Sequence, residues 1–126
     1  MQTTSRKIRV LVVDDSAVAR SVIIQGLSAS PRIEVGGYAV NAMDARTKLQ
    51  RLSPDVMTLD VEMPGINGID FLKRFLPSHP LPVILVSSLN LRVFDALAAG
   101  AVDFVRKPDA VESLESFLQA LTHKII

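Results

Sequence analysis

A handful of polar residues mark places where one site could gather them: Asp14 and Asp15, Asp60, Glu62, Ser87 and Lys107. Each closes or closely follows a run of branched apolar residues. Three carboxylates brought together repel one another, so a cation sits among them or one of them holds a proton. Hard oxygen donors without His or Cys suit Mg²⁺ or Mn²⁺, and Mg²⁺ in a partial site of this kind retains several waters. A carboxylate beside such an ion and a lysine is equipped for phosphoryl transfer. Asp60 can attack phosphorus in line while the metal and Lys107 neutralise the equatorial oxygens. The Ser87 hydroxyl can then donate to one of those oxygens, and backbone N–H groups after Asp60 can add further bonds.

Taken singly, each residue has a plainer explanation. An Asp at a strand end is most often a helix cap or a turn residue. Lys107 before Pro108 reads as a solvated loop residue, Ser87 as the start of a turn, and Gly65 and Gly68 as loop geometry. The chemistry rests on the set, and the set requires elements that bring it together.

Those elements are visible in the apolar pattern. Strand-like runs occupy Ile8–Val13, Glu34–Val40, Val56–Asp60, Pro82–Val86 and Val102–Val105. Between them, helical spacing of apolar residues predicts helices over Ser16–Ser28, Asn41–Leu52, Asn67–Leu76, Leu91–Ala98 and Val111–Leu121. Strand and helix alternate and the strands are almost continuously apolar, the pattern of a parallel sheet covered on both faces. Right-handed crossovers make a doubly wound (βα)₅ α/β domain the natural architecture. In such sheets ligands sit beyond the carboxyl ends of the strands, where Asp14, Asp15, Asp60, Ser87, Ser88, Arg106, Lys107 and Pro108 fall.

Composition narrows the function. The chain has 126 residues, 48% of them hydrophobic, which suits one domain with its own core. A net charge of +1 and scarce aromatics argue against a nucleic-acid footprint. The absence of cysteine excludes disulfides and thiolate metal sites. No apolar stretch approaches the ~20 residues of a membrane span, and Met1–Lys7 has no signal core, so a cytoplasmic, non-membrane protein is expected. Phosphate-binding glycine motifs and the serine-hydrolase elbow are missing. His79 and His123 are expected to face solvent without a catalytic role.

The segments VLVVDDS at 10–16, LDVEMPGINGIDFL at 59–72, LVSS at 85–88 and DFVRKP at 103–108 resemble the response-regulator receiver domains of two-component signalling. The likeness covers Ile8 to Leu121 and is strongest to the receiver half of chemotaxis protein-glutamate methylesterases. It implies a flavodoxin-like sheet in the order 2-1-3-4-5, forming one domain over residues 1–126 with its core at about 8–122 and no methylesterase effector domain. It also implies roles. Asp60 is the phosphoacceptor, Asp15 a direct Mg²⁺ ligand and Asp14 a carboxylate acting mainly through metal-bound water. Glu62 offers a backbone carbonyl to the metal, Ser87 is the hydroxyl switch, Lys107 the site lysine and Phe104 the aromatic switch. The implied partners are a sensor histidine kinase (CheA-like) that donates from phosphohistidine, and an effector domain or protein read through the face of the fourth helix, fifth strand and fifth helix. Only twelve residues separate Ser87 from Gly100, so the fourth helix is expected to be short or displaced. Two other readings stay open on the residues alone: an Mg²⁺-dependent phosphohydrolase with Glu62 as acid/base, and a degenerate receiver that only binds.

Overall fold

Hydrogen bonding in a computed structural model of the chain resolves the alternation into a five-stranded parallel sheet, β1 (Ile8–Val13), β2 (Ile33–Ala39), β3 (Val56–Asp60), β4 (Val83–Ser87) and β5 (Asp103–Arg106), in the order β2-β1-β3-β4-β5. The structure describes residues 6–63, 65–87, 97–108 and 114–126. Helices α1 (Ala17–Ser28), α2 (Ala42–Leu52) and α3 (Gly68–Phe75) follow the first three strands, a 3₁₀ turn spans Leu76–Ser78, and the C-terminal helix covers Leu114–Ile125. The expected fourth helix, Leu91–Ala98, lies outside the described residues apart from Leu97 and Ala98, which are helical. Ser88 and Val111 also lie outside them.

Local signals set the helix starts. Ser16, Asn41 and Asn67 each accept a bond from the backbone N–H three residues on, from Ala19, Asp44 and Asp70. Such caps satisfy one of the otherwise orphaned donors of the first turn. Gly100, the expected helix stop, has φ +103, a left-handed conformation that favours glycine.

Alternate strand residues face opposite sides of the sheet, which makes two cores. Leu11, Val13, Met57, Leu59 and Leu85 pack with Leu49 of α2 and Phe71 and Leu72 of α3. Val10, Val12, Ile84 and Val86 pack with Ile23 and Leu27 of α1 and with Phe117, Leu121 and Ile125 of the C-terminal helix. In that helix Phe117, Leu121 and Ile125 are buried while Leu114 and Leu118 are only partly covered. The outer strand β2 carries one extra residue, Gly36, where the register with β1 shifts from Val10–Val35 to Leu11–Gly37.

Gly68 is set by close approach. Its N–H donates to the Val61 carbonyl at 2.9 Å, and a Cβ here would stand 2.6 Å from the carbonyl oxygen of Asp60 and 3.0 Å from Val61 Cα. Backbone cannot rotate away as a side chain can. Gly68→Ala is therefore expected to cost about 2 kcal/mol, the scale of overpacking, read as a lower urea midpoint at constant m. An unchanged midpoint would mean that the Asp60–Val61 peptide moves freely.

Candidate functional site

The carboxyl ends of β1, β3 and β4 and the residue after β5 meet at one edge of the sheet. Asp14 follows β1 and is 1% exposed, Asp60 closes β3 at 2%, and Ser87 closes β4 at 1%. The sequence placed the end of β4 one residue earlier, since a serine reads as a turn. Main-chain bonds fix these ends relative to one another. Asp14 N–H donates to Ala39 O at 3.1 Å, Val61 N–H to Val86 O at 3.0 Å and Lys107 N–H to Ser87 O at 2.7 Å.

The side chains then converge. Lys107 Nζ lies 3.0 Å from Asp14 Oδ2 and 3.4 Å from Asp60 Oδ1. Oxygens of Asp14, Asp15 and Asp60 all lie within 4.8 Å of one another, with Asp15 exposed at the mouth. Asp14 Oδ1 accepts from Ser16 N–H at 2.9 Å, and Asp60 Oδ1 from Glu62 N–H at 3.2 Å. Asp14 Oδ2 is buried and has the Lys107 ion pair, but in a geometry that gives it no hydrogen bond. A buried carboxylate oxygen with unused lone pairs, beside two further carboxylates, fits a hard divalent cation.

Charge balance follows the expectation from three crowded anions. Burial, and then repulsion from Asp14, push the Asp60 carboxyl up to about 7, with Lys107 pulling the other way. For Lys107, burial lowers the pKa, but the ion pairs with Asp14 and Asp60 outweigh it, so the net direction is up. The Lys107 ammonium thus stands among the carboxylates, and burial and repulsion favour the protonated form of Asp60.

Glu62 and Ser87 are linked directly, with the Ser87 hydroxyl donating to Glu62 Oε2. The resemblance assigned Glu62 a role through its backbone carbonyl; in the structure its side chain bonds to the Ser87 hydroxyl. Phe104 is partly buried and packs against the core on the α2–α3 side. His79 stacks on Phe75 with ring centroids 5.3 Å apart and is half-buried, whereas His123 is exposed. One site neighbour escaped the sequence reading altogether. Arg20, one turn into α1, reaches back so that Nη1 donates to the Asp14 carbonyl at 2.9 Å.

The model of the response regulator receiver domain family matches residues 10–119. The chain belongs to this family. Among curated relatives, the receiver is 51% identical over 95% of its length to protein-glutamate methylesterase/protein-glutamine glutaminase 2 of Syntrophomonas wolfei. It is 50% identical, again over 95%, to the corresponding protein of Syntrophotalea carbinolica. It spans 36% of each of these two proteins, about a third of their length. Among solved structures, it superposes on the response regulator domain of Thermotoga maritima CheB with a TM-score of 0.87 and 41% identity, covering 95% of this chain and 94% of that one. It is also similar to the CheX–CheY–BeF3–Mg complex of Borrelia burgdorferi, with a TM-score of 0.79 and 26% identity, covering 96% of this chain and 91% of that one. The receiver is thus of the CheB type, with the flavodoxin-like strand order expected from its sequence. No helix among the described residues is long and apolar enough to cross a membrane.

Proposed function

We propose that this receiver is a phosphorylation switch whose acceptor is Asp60, charged by the phosphohistidine of a chemotaxis-type sensor kinase and read by a methylesterase effector. The observation that carries this reading is the convergence of Asp14, Asp15, Asp60 and Lys107, with ammonium and carboxylate oxygens 3.0–3.4 Å apart. The identity to methylesterases supports the choice of effector, and the Mg in the Borrelia burgdorferi complex supports the choice of ion.

Asp60 is the nucleophile because its Oδ1 lies between Lys107 and the backbone N–H of Glu62, where an arriving phosphoryl group meets both donors. Its oxygen bonds to phosphorus as the P–N bond to the donor histidine breaks, and the electron pair leaves with the imidazole nitrogen. Lys107 holds one equatorial oxygen, and Asp14 keeps that lysine in place from the other side. Asp14, Asp15 and Asp60 would hold Mg²⁺, with the Glu62 main-chain carbonyl as a further ligand. When bound there, the ion supplies charge that favours ionised Asp60 and offsets the phosphoryl oxygens.

Phosphorylation also redirects Ser87. Its hydroxyl leaves Glu62 for the phosphoryl oxygen, and Phe104 follows into the space released. A partner that binds the new arrangement better reads the change. Intact mass after incubation with Mg²⁺ and acetyl phosphate tests the core of this proposal. A gain of one phosphoryl group by the parent and none by Asp60→Asn is expected. Equal labelling of both proteins would move the acceptor elsewhere, and labelling of neither would remove the small-donor chemistry.

A further inference from the structure

Arg20 is in an unfavourable place by ordinary helix rules. It stands in the N-terminal turn of α1, where the helix dipole disfavours a cation, and its guanidinium folds back toward the N-terminus. There it meets two fixed partners. Nη1 donates to the Asp14 carbonyl at 2.9 Å, and the guanidinium carbon lies 4.9 Å from the centre of the Tyr38 ring. Tyr38 is itself held from α2. Lys48 Nζ donates to its carbonyl at 2.7 Å, stands 5.3 Å from the ring centre, and pairs with Asp44 at 3.4 Å. Asp44 in turn accepts from Val40 N–H at 3.0 Å, closing the loop between β2 and α2.

The result is a brace from α2 through the Tyr38 ring to the first acidic residue of the site. With Arg20 in place, every polar group of Asp14 except the second lone pairs of its carboxylate has a defined partner: N–H to Ala39, carbonyl from Arg20, Oδ1 from Ser16 and Oδ2 facing Lys107. We infer that Arg20, seated on Tyr38, is a positioning residue that fixes the Asp14–Asp15 turn for divalent-cation binding. This inference rests on the metal site proposed above and deepens it.

The sign of the effect separates positioning from plain charge. A guanidinium held on the Asp14 carbonyl repels a cation entering the adjoining site, so if charge were all that mattered, its removal would tighten metal binding. Loss of a positioning group weakens it, by about tenfold for outer-sphere partners of metal ligands. The planar fork also matters, because it stacks and donates at once, which a lysine ammonium does less well.

Free Mn²⁺ measured by electron paramagnetic resonance, for the parent, Arg20→Ala, Arg20→Lys and Tyr38→Leu, tests this. Arg20→Ala is expected to weaken Mn²⁺ binding about tenfold, Arg20→Lys to recover part of that, and Tyr38→Leu to shift it in the same direction by less. In acetyl phosphate labelling, the half-saturating Mg²⁺ concentration should rise in step while the rate at saturating Mg²⁺ stays within about twofold of the parent's. A merely structural role for Arg20 would lower the unfolding midpoint without that split. Unchanged or tighter Mn²⁺ binding by Arg20→Ala would overturn the inference. Failure of the parent to bind Mn²⁺ would instead overturn the site reading beneath it.

Discussion

Lys107→Ala is expected to lose about 3 kcal/mol of folding stability at pH 8 in chelator, the scale for stranding buried charge by removing one partner. Asp14 and Asp60 are 1% and 2% exposed, and the Lys107 ammonium stands between them at 3.0 and 3.4 Å. Without it, two carboxylates confront each other while, among the described residues, the Ser16 and Glu62 N–H groups hydrogen-bond them. The loss should shrink at pH 5, since Asp60 then takes a proton in place of the missing cation. Urea unfolding at both pH values measures it. A loss under about 1 kcal/mol at pH 8, the range of solvent-exposed pairs, would mean that the ammonium does not hold the carboxylates together. Phosphorylation from acetyl phosphate should be lost in the same variant.

The second large effect is a pH dependence carried by Asp60. Its carboxyl is raised to about 7 in the folded chain, against 3.8 for the free group. The folded state therefore binds more protons than the unfolded state across that window. The stabilising contribution is fully present below the unfolded value and is lost as pH rises through about 7. About three pH units at 1.36 kcal/mol each set a ceiling of about 4 kcal/mol, and solvent entering at the exposed Asp15 side reduces this to about 2 kcal/mol. Asp60→Asn removes the titration. In metal-free buffer the variant should be more stable than the parent by about 2 kcal/mol at pH 8 and nearly equal to it at pH 4. Thermal unfolding of both proteins across that range checks the difference. Parallel curves would show that Asp60 ionises without strain. If Mg²⁺ binds the native site as proposed, and not the unfolded chain, its addition should stabilise the parent selectively.

The parallel sheet was legible in the sequence because strands buried on both faces leave continuous apolar runs, and Val10–Val13 and Val83–Val86 are such runs, whereas the strand order came from the family resemblance. The acidic site was legible for a related reason. Topology sends every strand's carboxyl end to the same edge, so residues far apart in sequence become neighbours by position alone. What remained hidden depends on side-chain direction. Arg20 looks like an ordinary solvated helix residue, and Tyr38 like an exposed residue of an outer strand; nothing in their spacing reveals that one stacks on the other. The Glu62–Ser87 bond joins residues 25 apart through rotamers that no period encodes. In the last helix, packing against Ile23 and Leu27 sets the buried face at Phe117, Leu121 and Ile125.

The extra residue in β2 has a consequence for how the molecule behaves in a crowd. The outermost strand of an open sheet exposes unpaired N–H and C=O groups that can recruit a strand from another molecule. Gly36 breaks the even spacing of that row midway, and the Arg9 guanidinium lies over it, with Nη2 3.3 Å from where a Cβ would stand. A kinked, charge-covered border makes a poor template for added strands. On that side of the sheet, Gly36 and Arg9 together disfavour the addition of a foreign strand.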